Sequence, residues 1–549
     1  MRYFIVLCAA LVVFADPAEA SEIRLVLQVT VDQLRGDLPR RYQDRFGEGG
    51  FRYLMNEGTV FEDAHHGHAN TETIVGHATL ATGAHPSTHG MIGNVWLDRS
   101  TARARYNIED ERYPILTEGA GVDGSTEIDP AQRAARTDGR SPAAMLTSTF
   151  GDELSLFTAG RAKVFAVSVK DRGAVSMAGH TGKAFWFSKA AGEFVTSSYY
   201  YDDYPAWVKK WNAKRPADRW GDKSWELLRE QETYVWGERD DRSFETDLAG
   251  FGRVFPHPYG PVTGRYYTTL LTVSPVGDAI TLDFAKTLIE QESLGDDAVP
   301  DYLGVSFSST DYVGHIFGPS SLESEDNLLR LDRALADLFR FVDEHVGLEY
   351  TLIVLSADHG AAEAPPYLRE LGIQAGYVDL TDSIDRFDHA DLISAYQHPY
   401  VYVDRARIVA EGLDEEVILD AIAEELTAIP GVAYALSSAR VASGQLPDTR
   451  LTRQVSRNFN PRRSGDIYVV LEPHSMINDF DGLEVAATHG SPWRYDTYVP
   501  IMFAGIGIKP QRVARYGLTV DVAPTLAILV GTKPPSGSVG KPLTEVIAR

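Results

Sequence analysis

Four short apolar, β-branched runs, each ending in polar side chains, constrain the fold more than any other feature of the chain. They are IRLVLQVTVD (23–32), KVFAVSVKDR (163–172), DYLGVSFSSTD (301–311) and TLIVLSADHG (351–360). Near-continuous apolar runs of this length suit strands buried on both faces of a mainly parallel sheet. Between them, DAITLDFAKTLIEQESL (278–294) and SEDNLLRLDRALADLFRFVDEHV (324–346) carry amphipathic helical spacing. SPAAMLTSTFGDEL (141–154) predicts a further helix, with Ser141 as N-cap and Pro142 in the first turn. The alternation predicts an α/β fold, a doubly wound and mainly parallel sheet with helices on both faces. Ligands of such sheets gather at the carboxyl ends of the strands. Asp32, Lys170, Asp311, Asp358 and His359 each stand where a run stops.

Two stretches depart from this alternation. The segment near 186–265 holds YYYDDYPAWVKKWNAKRPADRW and two further tryptophans, with little regular period, and reads as an insertion over the core, either a lid or an aromatic-stapled loop. The stretch near 400–475 reads as a smaller α+β cap inserted before the last core elements. Residues 1–20, MRYFIVLCAALVVFADPAEA, have the charge, short apolar run and A-x-A ending of an export signal. The mature chain, 21–549, is then expected in the periplasm or medium. Cys8 is the one cysteine, which excludes a disulfide and a thiolate metal ligand from the exported protein. No later apolar run is long enough to span a membrane. A net charge of −25 disfavours nucleic acid as a partner, and a monomer is the favoured state.

Three segments have metal-ligand spacing. In DYVGH, Asp311 and His315 are four apart and share one face of a helical turn. SADHG sets Asp358 beside His359 in a strand-to-loop turn, and ATHGS puts His489 in a glycine-flanked loop. With Asp32 these make enough oxygen and nitrogen donors for two metals, and such donors suit zinc or another divalent ion. Paired cations would also explain the threonines of HANTETIVGHATLATG (68–83), which are indifferent helix formers. A free threonine hydroxyl holds its proton tightly, whereas a coordinated cation stabilises the alkoxide. Spacing does not choose between Thr71 and Thr73.

Asp32 after the first strand, TIVGHATLATG…HPSTHGMIGN, DYVGH, SADHG, THGS and the late DVAPTLAILVG (521–531) together resemble the alkaline phosphatase superfamily. The match recurs in order over nearly all of 21–549. Within the superfamily it resembles the threonine-nucleophile secreted bacterial enzymes. That resemblance implies Thr73 as nucleophile, from the Thr-x-x-x-His spacing to His77. It implies one zinc held by Asp32, Thr73, Asp358 and His359, and a second held by Asp311, His315 and His489. It also implies that Lys170, Arg172 and Asn94 contact the phosphoryl oxygens of a phosphate monoester. If the SVKDRG stretch were extended, Lys170 and Arg172 would point to one face; a solvated charged turn is the bland alternative. The expected activity is hydrolysis of small phosphate monoesters through a phosphothreonine. A phosphodiesterase or nucleotide pyrophosphatase of the same fold is the rival, and a phosphate or metal binder without turnover is the rival of another class. A sulfatase is disfavoured because 21–549 has no cysteine to modify.

Other residues are read more plainly. His65, His66 and His68 are expected to pack or orient the nucleophile segment, and His77, His85 and His89 to be satisfied core histidines. Arg35, Asp37 and Glu72 are candidates for hydrogen-bonding support of the ligands. The acidic stretches DFDG (479–482) and YDDY read as solvated turns, since neither has the ligand periodicity of a calcium loop.

Overall fold

The computed structural model describes residues 23–547; the export signal expected over 1–20 lies outside them. In chain order the strands are β1 (Leu25–Val31), β2 (Thr59–His65), β3 (Val164–Ser168), β4 (Lys183–Ser188), β5 (Glu193–Val195), β6 (Asp301–Phe307) and β7 (Thr351–Ser356). There follow β8 (Ile393–Gln397), β9 (Tyr400–Val403), β10 (Val432–Ser437), β11 (Ile467–Leu471), β12 (Ile501–Gly505) and β13 (Gln511–Leu518). The main sheet has the order β13-β2-β12-β7-β1-β6-β3-β4-β5. Its centre, β7-β1-β6-β3-β4, is parallel throughout. β12 runs antiparallel between β7 and β2, and β5 runs antiparallel at one edge. The four runs that opened the sequence reading are therefore the neighbours β7, β1, β6 and β3, and their carboxyl ends lie side by side.

The principal helices are α1 (Thr73–Thr82), α2 (Phe150–Phe157), α3 (Asp171–Ala178), α4 (Pro275–Gln291), α5 (Ser309–Phe317), α6 (Leu322–His345), α7 (Glu415–Thr427) and α8 (Val522–Val530). Alternate residues of β1 meet opposite layers, as the pleat requires. Leu25, Leu27, Val29 and Val31 pack with Phe284 and Leu288 of α4 and Leu335 and Leu338 of α6. Val26 packs on the other side with Leu80 of α1, Phe150 of α2 and Leu526 of α8. Both faces are thus covered, as a doubly wound sheet demands.

α1 is buried on every side, so it needs no amphipathic stripe. Its hydroxyls are absorbed locally: Thr82 Oγ1 donates to the Ala78 carbonyl at 2.6 Å, and Thr79 Oγ1 lies 3.2 Å from His89 Nε2. Gly83, at φ 64°, ends the helix in the left-handed region that a side chain resists.

One helix begins later than its sequence predicts. The expected start at Ser141 is a turn: the Ser141 hydroxyl accepts the Ala143 N–H at 3.2 Å and donates to Asp110 Oδ2 at 2.6 Å, and no helix follows directly. The helix opens at Phe150, where Thr149 and Asp152 form a reciprocal capping box. A hydroxyl before a proline thus served a tertiary partner, and the box eight residues later was the true start.

The cap is a second sheet in the order β8-β9-β11-β10, beginning at Ile393. Leu419, Ile422 and Leu426 of α7 cover it through Val401, Val403 and Ile467. In the region 186–265, Trp225 packs against Phe251, Phe255, His257 and Phe317.

Candidate active site

Parallel neighbours turn the ends of four runs into one surface. Asp32 follows β1, Lys170 is the N-cap of α3 after β3, Asp311 sits in the first turn of α5 after β6, and Asp358 and His359 follow β7. Thr73 enters from outside the sheet as the first residue of α1, and His489 from a loop after the cap.

The carboxylates and imidazoles converge. His359 Nε2 lies 3.4 Å from Asp32 Oδ1 and 3.5 Å from Asp358 Oδ2. Asp311 Oδ1 lies 3.2 Å from His315 Nε2 and 3.4 Å from His489 Nε2. The His359 and His489 rings stack with centroids 3.5 Å apart. Two triads have ligand atoms close enough to share an ion, Asp32 with Asp358 and His359, and Asp311 with His359 and His489. His359 stands in both triads.

Each of the three imidazoles is turned by its backbone partner. His315 Nδ1 bonds the Ala487 carbonyl at 2.8 Å, His359 Nδ1 the Gly360 carbonyl at 3.0 Å, and His489 Nδ1 the Thr71 carbonyl at 2.8 Å. A carbonyl only accepts, so each Nδ1 carries a proton and each Nε2 is the nitrogen turned toward the site.

A cation fits this donor set. Both Asp32 oxygens, Asp358 Oδ2 and His359 Nε2 are buried with no aligned hydrogen-bond partner among the described residues. Buried polar atoms are rarely left so unless something else satisfies them. Burial and Asp311 push the Asp32 carboxyl up, but Lys170 and His359 outweigh them and hold it below its usual range. Burial likewise opposes Asp311, which His315 and Lys170 hold well below that range. Asp358, buried beside Asp32, is pushed up. Burial would lower His359, yet Asp358 and Asp32 raise it to about 9. Burial, with repulsion from His359, lowers His489 to about 3. The carboxylates thus draw positive charge to their centre.

The basic residues take separate positions. Lys170 Nζ lies 2.8 Å from Asp32 Oδ2 and also pairs with Asp311. Arg172 NH2 donates to Thr73 Oγ1 at 3.2 Å, and its NH1 pairs with Asp129 Oδ2 at 2.6 Å. The two are not arranged as in an extended strand. Lys170 caps α3 and Arg172 lies in its first turn, so the helix, not a two-residue alternation, brings them to the site. Asn94 Oδ1 accepts the Ile74 N–H at 3.1 Å, which fixes the asparagine to the start of α1.

A cavity of about 530 Å³ opens over this constellation. Arg172, Asn94, Asp311, His315 and His489 line it, together with residues of the cap and of 476–485. No residue of 186–265 lines it.

Of the residues read more plainly, His77 bonds the Thr73 carbonyl at 2.9 Å and Ser306 Oγ at 2.9 Å, and lies 3.1 Å from Asp358 Oδ2. His66 Nε2 bonds the Ala357 carbonyl at 3.0 Å, beside the ligand turn. The Glu72 carboxylate accepts the Asn94 N–H. Thr71 Oγ1 is spent on the Ser491 carbonyl at 2.8 Å.

Two participants escaped the sequence reading. Gln33 donates Nε2 to Asp311 Oδ1 at 2.8 Å and its N–H to Asp358 Oδ1 at 3.1 Å, tying the two halves together. Its only sequence signal is its place after Asp32. Asp129, the partner of Arg172, also caps the turn that begins at Pro130, accepting the Ala131 N–H at 2.9 Å. That role conceals its second one.

The chain is similar to known proteins over most of its length. The family described as type I phosphodiesterase / nucleotide pyrophosphatase matches residues 26–492. A protein of Myroides odoratus named calcium-transporting ATPase is 34% identical over 95% of this chain and 94% of its own. Alkaline phosphatase PafA of Elizabethkingia meningoseptica is 34% identical over 96% of this chain and 95% of its own. A crystal structure of wild-type PafA superposes with a TM-score of 0.87 at 32% identity, covering 96% of this chain and 99% of that one.

Proposed function

The chain belongs to the type I phosphodiesterase / nucleotide pyrophosphatase family, and we propose that it is a metal-dependent alkaline phosphatase acting on phosphate monoesters. The observation that carries the reading is the convergence of Asp32, Asp358, His359, Asp311 and His489 beside Thr73 and Arg172. The curated alkaline phosphatases among its relatives span nearly the whole chain, which supports the same activity here. Residues 1–20 support export to the periplasm or medium.

In this reading Thr73 is the nucleophile. Thr73 gives its proton to a water, its oxygen forms a bond to phosphorus while the phosphorus–oxygen bond to the alcohol breaks, and the alcohol takes a proton back from that water as it leaves. A second water then attacks the phosphothreonine, releasing inorganic phosphate and returning the Thr73 hydroxyl. Asp32, Thr73, Asp358 and His359 would hold one divalent ion and Asp311, His315 and His489 another, zinc suiting these donors, and when bound the pair would favour the Thr73 alkoxide and neutralise the leaving oxygen. Arg172, already within reach of Thr73 Oγ1, would fork onto the non-bridging oxygens. Asn94 offers its Nδ2 to the same group, its Oδ1 being used on the helix. Lys170 supplies positive charge between Asp32 and Asp311 and would turn to the phosphoryl oxygen once substrate enters. Such charge placed where it develops in the transition state is the main source of rate in this chemistry.

The family description also names diesterases. A diester replaces one charged oxygen with an organic group, and Arg172 beside Thr73 favours the dianion instead. Side-by-side turnover of para-nitrophenyl phosphate and bis(para-nitrophenyl) phosphate, with metal analysis and activity after chelation and zinc return, tests the reading. Faster turnover of the diester, or full activity in a thoroughly chelated protein, would overturn it.

A further inference from the structure

The outer half of the cavity is not used by the phosphoryl chemistry. Ile128, Pro130, Ile477, Phe480 and Leu483 line the cavity with apolar side chains, and Phe480 brings that lining up to His315. Phe480 sets its ring against His315, with centroids 5.0 Å apart at 64°. Tyr396 and His398 of the cap also line it, with Tyr396 Oη bonded to His398 Nδ1 at 2.9 Å. Burial lowers that imidazole to about 4, so it adds no positive charge.

The rim is acidic. Asp479 and Asp481 line the cavity from the hairpin in which Asp479 and Phe480 pair with Glu484 and Leu483. Arg133 faces them: its NH2 lies 3.3 Å from Asp481 Oδ2 and donates to the Phe480 carbonyl at 2.6 Å. The guanidinium therefore pairs with Asp481 alone, and Asp479 has no cationic partner among the described residues.

We propose that this outer half is a leaving-group subsite, which takes a flat aryl group that is neutral or cationic and discriminates against one carrying a second anion. The inference rests on the phosphatase reading and names the substrate class of that site. An apolar wall gives a carboxylate no donor in exchange for lost water. Asp479 adds repulsion, worth about threefold for a unit charge held roughly 6 Å away at the dielectric of bulk water. A flat ring instead gains contact with Phe480 and the aliphatic side chains.

The test compares meta-trimethylammoniophenyl phosphate with meta-carboxyphenyl phosphate, each corrected for the acidity of its phenol. The expected kcat/KM ratio is about 10 in favour of the cationic ester, falling toward unity as salt is raised. In Asp479→Asn the ratio falls to within about threefold, and Phe480→Ala lowers the preference for phenyl over methyl phosphate by about tenfold. Both esters would be cleaved at the same Thr73. Equal turnover of the two at low salt overturns the subsite and leaves the phosphatase reading intact, whereas turnover of neither removes both. A ratio unchanged by salt and by Asp479→Asn also overturns it.

Discussion

Gly76 lies so close to the backbone of Asp358 that a Cβ on it would fall 1.9 Å from the Asp358 carbonyl oxygen. The helix that begins with Thr73 is therefore pressed directly onto the turn that carries Asp358 and His359. A side chain at that point must part the two. Gly76→Ala is expected to cost about 3 kcal/mol or more by overpacking and to lower kcat as Thr73 moves off its neighbours. Thermal unfolding and steady-state turnover check both, and a variant with unchanged kcat would show that this contact does not position Thr73 for the proposed reaction.

Thr73→Ala is expected to abolish turnover to below about a thousandth of wild type, since no other hydroxyl can form the covalent intermediate. Thr71→Ala loses a hydrogen bond to the Ser491 carbonyl, a cost of about 1 kcal/mol in stability, with most of the activity kept. Rates of both variants on para-nitrophenyl phosphate decide between the two hydroxyls.

Arg172 has two tasks, and they can be separated. Its loss strands the buried Asp129 carboxylate, which should destabilise by about 3–5 kcal/mol. Arg172→Ala is also expected to lower monoester kcat/KM by about a hundredfold or more while affecting diesters much less. Adding Asp129→Ala should recover part of the lost Tm and none of the lost rate. Recovery of rate in the double variant would mean that Arg172 acts through folding alone.

Removing metal should lower both activity and Tm. The clustered carboxylates of Asp32, Asp358 and Asp311 are stabilised by a cation bound to the folded state, worth about 2.7 kcal/mol at a free concentration a hundred times Kd. Calorimetry before and after chelation, and after zinc return, measures this. A Tm indifferent to chelation would refute it.

His180 gives a pH dependence away from the site. Its Nδ1 lies 3.0 Å from Asp152 Oδ2 and its Nε2 3.2 Å from the Met145 carbonyl, so only the imidazolium donates to both. The Asp152 hydrogen bond outweighs burial and raises its pKa. A raised pKa stabilises the fold fully below the unfolded value, and that contribution disappears as pH rises through the folded one. His180→Gln should therefore lower Tm by about 2 °C at pH near 5.5 and by less at pH near 9. An equal or larger loss at the alkaline end would contradict the sign.

Much of the site was legible because its residues fall at predictable places. Asp32, Asp311, Asp358 and His359 end apolar runs, and a parallel sheet leaves little choice about where such ends collect. The four-residue step from Asp311 to His315 needed just one helical turn. Lys170 and Arg172 were found for a different reason than expected, since a helix start and not a strand presents them. Ser141 misled because its hydroxyl does accept the Ala143 N–H as a cap would, yet closes only a turn and also donates to Asp110. Gln33 and Asp129 were invisible for a related reason: each matters through a partner remote in sequence, 278 residues away for Gln33 to Asp311 and 43 for Asp129 to Arg172.

The sequence by itself determined the layered α/β architecture, the kinds of donor available and the strand ends that bear them, because periodicity and residue chemistry are local properties. The tertiary structure decided which hydroxyl faces Arg172, which nitrogen of each imidazole is turned toward the site, and how the cap walls the cavity. Those outcomes depend on which strands become neighbours and which carbonyls lie opposite, and packing of distant segments alone sets them.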